Sequence, residues 1–448
     1  MTEVIKYPDP VSRTSTVTEL PVHDWRAGLA QKRGGDYKQH VANIKAALEL
    51  APELQGRFAL NTLSDQIEVV NDLPWRDEGH CGELMEFDII ELVAWLNEQG
   101  LEPSKETTFD AIVAVARRNS FNPLQDYLQQ VGARWDGNQR LDTDLLIWFT
   151  VKPTVFARAA IKRFMISAVA RAMTPGCKVD TMLVLEGGQG AGKSTALSML
   201  ASFPYFLDSM AKLSKGKEAQ EQLRGKWIIE MAELDALGMR ERTAVKAFLS
   251  QRSDNYRAPY AKLSKDYPRS AIFAGTTNET QWLNDPTGGR RFWPVKVEGQ
   301  IKIGMIEEYR DQLWAEAYTA WEAGEQWHLT DDEEAAAKVE QEKRRSADEL
   351  EEPILHYITE YQLVEVGKAW LLEHLAEVHG RSLTQNSSTG SRIRDVFATI
   401  PGDWKHIDRK QMPNPKYGGP HKSKRTETWT CTDPEIRAKI VAGNGIDF

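Results

Sequence analysis

The rhythm of apolar and polar positions changes along the chain. The first 35 residues are polar and broken by Pro8, Pro10 and Pro21, then by Gly34 and Gly35. This composition predicts a loosely ordered arm. Apolar spacing over 37–50 fits a helix, and short strands are expected at 57–61 and 66–70, closed by a turn at 72–75. Residues 83–173 read as helical. Ile89, Ile90, Leu92, Val93 and Leu96 recur at helical intervals over 87–97, as do Phe109, Ile112, Val113 and Val115 over 108–118. Pro123 sits in the first turn of a helix running to residue 131. A further amphipathic helix is expected over 155–173, stopped by Pro175 and Gly176.

From 181 to 297, short β-branched runs alternate with helical stretches, the pattern of a mostly parallel sheet. Residues 331–352 carry ten acidic against four basic side chains, which predicts a solvated helix or linker. Helices follow at 353–360, 368–379 and 391–399. After them come a polar, Gly/Pro-broken basic loop and a strand at 426–431. Helices followed by a basic hairpin predict a winged helix. The expected organisation is therefore an arm and small α+β unit over 1–80, a helical domain over 81–178, an α/β P-loop domain over 179–345 and a winged-helix-like domain over 346–448.

Composition narrows the function. A chain of 448 residues fits several domains. Lys plus Arg number 56 and Asp plus Glu 65, giving a formal net charge of −9, which excludes a uniformly basic nucleic-acid binder. DNA contact has to come from local patches. Tryptophan is frequent, at 14, and runs from Trp25 to Trp429, which favours several packed domains over one aromatic platform. Cys81, Cys177 and Cys431 form no Cys-x-x-Cys pair, so neither a disulfide scaffold nor a zinc ribbon is expected. The chain opens on no basic-then-apolar leader and contains no apolar run of membrane length. The expectation is a soluble protein of the cytoplasm, with no membrane partner. His374 and His379 are five apart on an expected helix and do not share a face, so no metal site is expected of that pair.

The strongest chemical signal lies at Gly187, Gly188, Gln189, Gly190, Ala191, Gly192, Lys193, Ser194 and Thr195. An apolar strand enters this G-x-x-x-x-G-K-[ST] loop and a helix leaves it. Glycines allow successive backbone N–H groups to turn inward around phosphate oxygens, and the helix N-terminus adds positive charge. Lys193 is expected to reach the β/γ-phosphates and the Ser194 hydroxyl to ligate Mg²⁺. The expected cofactors are ATP and Mg²⁺.

A triphosphatase also needs a metal-holding acid and a group that orients water. The apolar strand leading to Glu230, with Glu233 just beyond, supplies both. Either acid fits either role, and Asp235 is a third candidate. A later apolar strand ends at Asn278, whose amide suits a hydrogen bond to water or to a γ-phosphate. Gly288 and Gly289 then present Arg290 and Arg291 on a turn before another strand. Such a pair either makes surface salt bridges or supplies an arginine finger. A finger from a neighbouring subunit ties hydrolysis to a ring.

Between these strands, residues 254–269 read as a hairpin with Lys262 and Lys265 near its tip. Basic and aromatic residues interleave there, as single-strand binding requires, although a merely solvated hairpin fits equally well. In the last domain Lys422, Lys424 and Arg425 mark the basic loop as a DNA-contacting wing, against the alternative of a solvated loop.

Taken together, residues 120–297 resemble the virulence-associated E family of phage and mobile-element proteins, related to superfamily 3 helicases within the AAA+ ATPases. The matching pieces are Phe121 to Leu128, Arg134 to Gly137, Pro175 to Asp180, Gly187 to Thr195, Gly225 to Leu234, Tyr256 to Tyr260 and Gly275 to Asn278 through Arg290 and Arg291. The resemblance implies an oligomeric, Mg²⁺-dependent ATPase, expected as a hexamer, that moves on or unwinds DNA during replication. Its expected partners are single-stranded or forked DNA, origin duplex, further copies of itself and host replication proteins. It maps Lys193 and Ser194 to Walker A, Glu230 and Glu233 to the Walker B region, Asn278 to sensor 1, Arg290 or Arg291 to the finger, and Lys262 and Lys265 to the DNA-tracking hairpin. Lys246 falls where that superfamily carries a further basic residue. The two acids are spaced rather than adjacent, a departure from the pattern, and residues before 120 are too short for a complete primase. The competing expectations are an ATP-gated initiator or loader without unwinding, and a defence or regulatory ATPase switch acting on proteins.

Overall fold

The structure, a computed structural model, describes residues 24–208, 217–232, 234, 239–256, 264–283, 289–345, 349–379, 389–416 and 423–443. The chain forms two compact units. The first contains Met1–Thr280 and Arg291–Glu340, the second Gln281–Arg290 and Gln341–Phe448.

The first unit opens with α1 (Val41–Leu50), β1 (Phe58–Asn61), β2 (Gln66–Val69) and β3 (Gly82–Glu83), then α2 (Glu86–Glu98) and α3 (Lys105–Arg118). The three strands form an antiparallel sheet. Local signals fix the helix ends. The Ser104 side chain accepts the Thr107 amide at the start of α3, and Arg117 and Arg118 face the negative end of its dipole. Ala111, Ile112 and Val115 of α3 pack with Ile44, Phe58 and Leu92 in one apolar cluster.

Next come α4 (Pro123–Gly132), α5 (Asp144–Trp148) and α6 (Val155–Met173). Then follow β4 (Met182–Glu186), α7 (Lys193–Ala201), β5 (Phe206–Leu207), α8 (Lys217–Glu221), β6 (Ile228–Met231) and α9 (Met239–Leu249). A hairpin of β7 (Ser253–Tyr256) and β8 (Lys265–Pro268) precedes β9 (Ile272–Thr277), β10 (Phe292–Lys296), α10 (Ile303–Glu322) and α11 (Asp331–Lys343). Five strands form one parallel sheet in the order β10-β4-β9-β6-β5. β4, β6 and β9 are buried along their whole length, as parallel strands covered on both faces must be.

Two features differ from the sequence reading. The stretch 81–178 does not form one helical body. α2 and α3 share a core with α1 and β1, whereas Leu124, Leu145 and Phe164 of α4, α5 and α6 belong to the core around the parallel sheet. Helical periodicity marks which face is buried, not which core it meets. Nor is α6 amphipathic: 15 of its 19 residues are buried. It packs against both the sheet and α10, which leaves it no solvent face. Below the sheet, Trp227 and Trp314 meet with ring centroids 4.2 Å apart, and their indole N–H groups donate to the carbonyls of Ala168 (3.0 Å) and Leu200 (2.9 Å). Two large apolar surfaces are thereby buried with both polar handles satisfied.

The second unit runs α12 (Glu351–Glu360), β11 (Glu365–Gly367), α13 (Lys368–His379), α14 (Thr389–Thr399), β12 (Trp404–Pro413), β13 (Ser423–Cys431) and α15 (Pro434–Val441). Its antiparallel sheet has the order β11-β13-β12. Part of the expected loop after residue 399 is therefore a strand. β12 lies at the sheet edge with most positions exposed, and its register shifts between Ile407 and Lys410, so it shows no apolar alternation. Helix α11 bears out the expected charged helix. Its Glu333 accepts from Arg163 at 3.2 Å, so one edge of it is anchored. Among the described residues no helix is long and apolar enough to cross a membrane.

Candidate functional site

β4 delivers the chain into the glycine-rich loop at the carboxyl edge of the sheet, where open α/β folds bind ligands. The approach is close. A Cβ on Gly187 would lie 2.8 Å from the Val297 carbonyl oxygen, so only glycine fits. Gly192 precedes α7 at φ +87°, a left-handed conformation that glycine adopts without strain. Gly188, Gln189 and Gly190 are exposed, Ala191 is buried and accepts the Ile301 amide at 3.0 Å, and Ser194 and Thr195 lie exposed in the first turn of α7.

Lys193 opens that helix and is 8% exposed. Its ammonium donates to the carbonyls of Gly187 (2.7 Å) and Gly188 (3.0 Å) and to Asn278 Oδ1 (3.0 Å). Burial pushes its pKa below the ordinary lysine value, with nearby Glu230 opposing the shift. Glu230 is 1% exposed, and one carboxylate oxygen accepts both the Ser194 hydroxyl (2.6 Å) and the Thr276 hydroxyl (2.6 Å).

Sheet order explains this convergence. β9 lies between β4 and β6, so Asn278, just past its end, sits beside the loop. Glu230 is the register partner of Ala274, and Thr276 lies two residues further along β9 on the same face. Four residues singled out in the sequence, Lys193, Ser194, Glu230 and Asn278, thus form one cluster. Thr276 joins it without having been singled out. Two adjacent hydroxyls, Thr276 and Thr277, closing an otherwise apolar buried strand were the available signal.

The other candidates lie elsewhere. Glu233 and Asp235 fall outside the described residues. Arg290 and Arg291 occupy a short 3₁₀ turn, Gly289–Arg291, leading into β10. Arg290 is exposed, and Arg291 is partly buried with Nε donating to the Ser250 hydroxyl at 3.2 Å.

The hairpin is present, with Tyr256 opposite Lys265 and Ser253 opposite Pro268. Lys262 lies outside the described residues. Lys265 is an ion-pair partner of Asp65 at 3.0 Å and sits 5.0 Å from the Tyr267 ring centre. Arg224 donates to the carbonyls of Ser64 and Asp65, which ties the same loop to the sheet domain. At the hairpin base Arg269, its side chain 1% exposed, makes a two-pronged pair with Asp254 at 2.6 Å and lies over the Phe248 ring at 4.1 Å. A cleft of about 270 Å³ opens here, lined by Asp65, Arg224, Lys226, Lys265 and Arg269, and no residue of the glycine-rich loop lines it.

In the second unit Lys424 and Arg425 are exposed on β13, and Lys422 lies outside the described residues. Lys424 pairs with Glu373 at 2.8 Å over the Trp370 ring, while Lys410 pairs with Glu365 at 2.6 Å and Lys416 with Glu377 at 3.4 Å. Carboxylates of the same unit therefore offset much of this basic charge.

A parallel sheet, a glycine-rich loop at the carboxyl end of one strand, a lysine opening the next helix and a buried carboxylate held by the following serine define a P-loop nucleotide-binding protein. More particularly, residues 128–346 match the virulence-associated protein E-like domain. No curated protein sequence matches it. Among solved structures it is similar to the apo A form of the NrS-1 C-terminal region, at 9% identity and a TM-score of 0.44, over 88% of this chain and 100% of that one. It is also similar to the JCV helicase, at 8% identity and a TM-score of 0.26, over 57% of this chain and 78% of that one.

Proposed function

We propose that the chain is an Mg²⁺-dependent ATPase of the AAA+ class that works as a hexameric ring to move on or unwind DNA during replication of a phage or mobile element. The observation that supports this most is the meeting of Lys193, Ser194, Glu230 and Asn278 at one sheet edge. The donor set suits Mg²⁺, a hard cation that takes hydroxyl and carboxylate oxygens. Ser194 and Glu230 would hold it, and when bound it would neutralise phosphate charge. Lys193 is desolvated and held over the loop carbonyls, so its charge is positioned to meet incoming phosphate. Loop N–H groups and the α7 N-terminus add donors. Asn278, in contact with Lys193, would orient water or report the γ-phosphate. Glu233 would polarise the attacking water, the two acids exchanging roles as the alternative, and Arg290 or Arg291 would serve a neighbouring subunit as finger.

DNA contact would come from Lys262 and Lys265 of the hairpin and from Lys422, Lys424 and Arg425. The order helix, strand, two helices, two strands in the second unit supports the winged-helix reading of 346–448. A second reading, an ATP-gated initiator or loader without unwinding, draws support from the Asp65–Lys265 pair, which ties a hairpin lysine to the N-terminal sheet.

Strand displacement on a forked substrate tests the proposal. Unwinding that requires ATP and is lost in Lys193→Ala supports a motor. Site-specific duplex binding without displacement supports the loader, and turnover indifferent to DNA supports a switch acting on proteins.

A further inference from the structure

Outside the P-loop, one cluster of metal-ligating side chains stands out among the described residues. His356, Glu360 and His374 offer ligand atoms that all lie within 4.8 Å of one another. His356 Nδ1 is 3.6 Å from Glu360 Oε2, and His374 Nε2 is 3.9 Å from the same oxygen. His356 and Glu360 are four apart on α12, which places them on one face. His374 comes from the middle of α13. The pairing of His374 with His379 fails by spacing, but the fold supplies two other partners from a different helix.

The geometry points to a site for a single zinc-class divalent ion that bridges α12 and α13. Two imidazoles and a carboxylate suit Zn²⁺, Co²⁺ or Ni²⁺ and disfavour Mg²⁺ and Ca²⁺, which prefer all-oxygen shells. The distances are compatible. With metal–ligand bonds of about 2.0–2.1 Å, tetrahedral ligand atoms lie about 3.4 Å apart. Closing the present cluster to that size requires only small side-chain movements. His356 and Glu360 are free to make them, with side chains 69% and 44% exposed.

His374 is the fixed member. Its side chain is 10% exposed, and its ring packs 4.6 Å from the Tyr357 ring and 5.7 Å from the Tyr361 ring. A buried, aromatic-framed imidazole beside two adjustable exposed ligands is a preorganised anchor with an accessible mouth. Three protein ligands leave a coordination position for water. The ion would pin the first helix of the second unit to the helix that carries Trp370 and Glu373, the partners of Lys424, and so stiffen that face.

The test uses the full chain, stripped of metal and kept without nucleotide in excess Mg²⁺. Zn²⁺ is titrated by calorimetry, Co²⁺ by its visible absorption, and thermal unfolding is followed with and without Zn²⁺. The expected result is one equivalent of saturable Zn²⁺ binding that Mg²⁺ does not displace. An intense d–d spectrum of low-symmetry Co²⁺ and a concentration-dependent rise in the unfolding midpoint should accompany it. All three should disappear in His356→Ala and in Glu360→Gln, whose exposed side chains make folding failure an unsuitable explanation. His374→Ala should lose them too. Absence of binding in the wild type overturns the inference, as does binding that persists unchanged in His356→Ala and Glu360→Gln.

Discussion

Thr276→Val removes a single buried hydroxyl and leaves the side-chain shape nearly intact. Thr276 donates to Glu230 at 2.6 Å in a site where Glu230 is 1% exposed, and the Ser194 hydroxyl shares the same carboxylate oxygen. A hydrogen bond to a charged group contributes about 1.5–3 kcal/mol, and a carboxylate left with fewer donors in a buried setting bears that loss directly. At about 2 °C per kcal/mol, the value for larger domains, the unfolding midpoint should fall by roughly 3–6 °C. The same substitution loosens the carboxylate that positions Ser194. If about 1.4 kcal/mol of that loss also appears in the transition state for ATP hydrolysis, turnover falls about tenfold. Thr276→Ser keeps the hydroxyl and should recover most of both effects. Calorimetry and steady-state ATP turnover on the three proteins check this. A Val variant that matches wild type in midpoint and turnover refutes the reasoning, and so does a Ser variant as impaired as Val.

Other outcomes follow from single contacts. Asn278→Ala removes the acceptor 3.0 Å from Lys193 and should lower turnover by about 10²-fold with little change in the unfolding midpoint, read by paired kinetics and calorimetry. Trp314→Ala opens a cavity against Trp227 and should cost about 3–5 kcal/mol, measured by denaturant unfolding. Hydrogen bonding from Arg140 holds the Asp136 carboxyl well below its usual value. A depressed folded pKa contributes stability above the unfolded value of about 3.9, and that stability is lost as pH falls towards the folded value. Asp136→Asn should therefore flatten the fall in unfolding midpoint below about pH 4, and an unchanged acid limb would contradict the assignment.

How much of this was legible in the sequence depended on how local the signal was. The glycine-rich loop is contiguous, and its strand and helix stand where the pattern placed them. Glu230 and Asn278 were visible as polar residues closing apolar strands. Thr276 was not, because its meeting with Glu230 depends on β9 lying between β4 and β6, which no local pattern states. The Asp65–Lys265 pair joins residues 200 apart, beyond any spacing rule. β12 carries no strand signal in the sequence because an exposed edge strand has no buried face to impose alternation. On its own helix His374 has only His379 as a second histidine near it in sequence, whereas the fold sets it against His356 and Glu360 on another.

The central claim is that the Lys193 cluster hydrolyses ATP to drive work on DNA. The most direct measurement is ATP turnover by the full chain in Mg²⁺, with and without single-stranded DNA, beside Lys193→Ala. The account predicts turnover that single-stranded DNA stimulates and that Lys193→Ala abolishes. Turnover that survives Lys193→Ala, or that is unchanged by DNA, would contradict it.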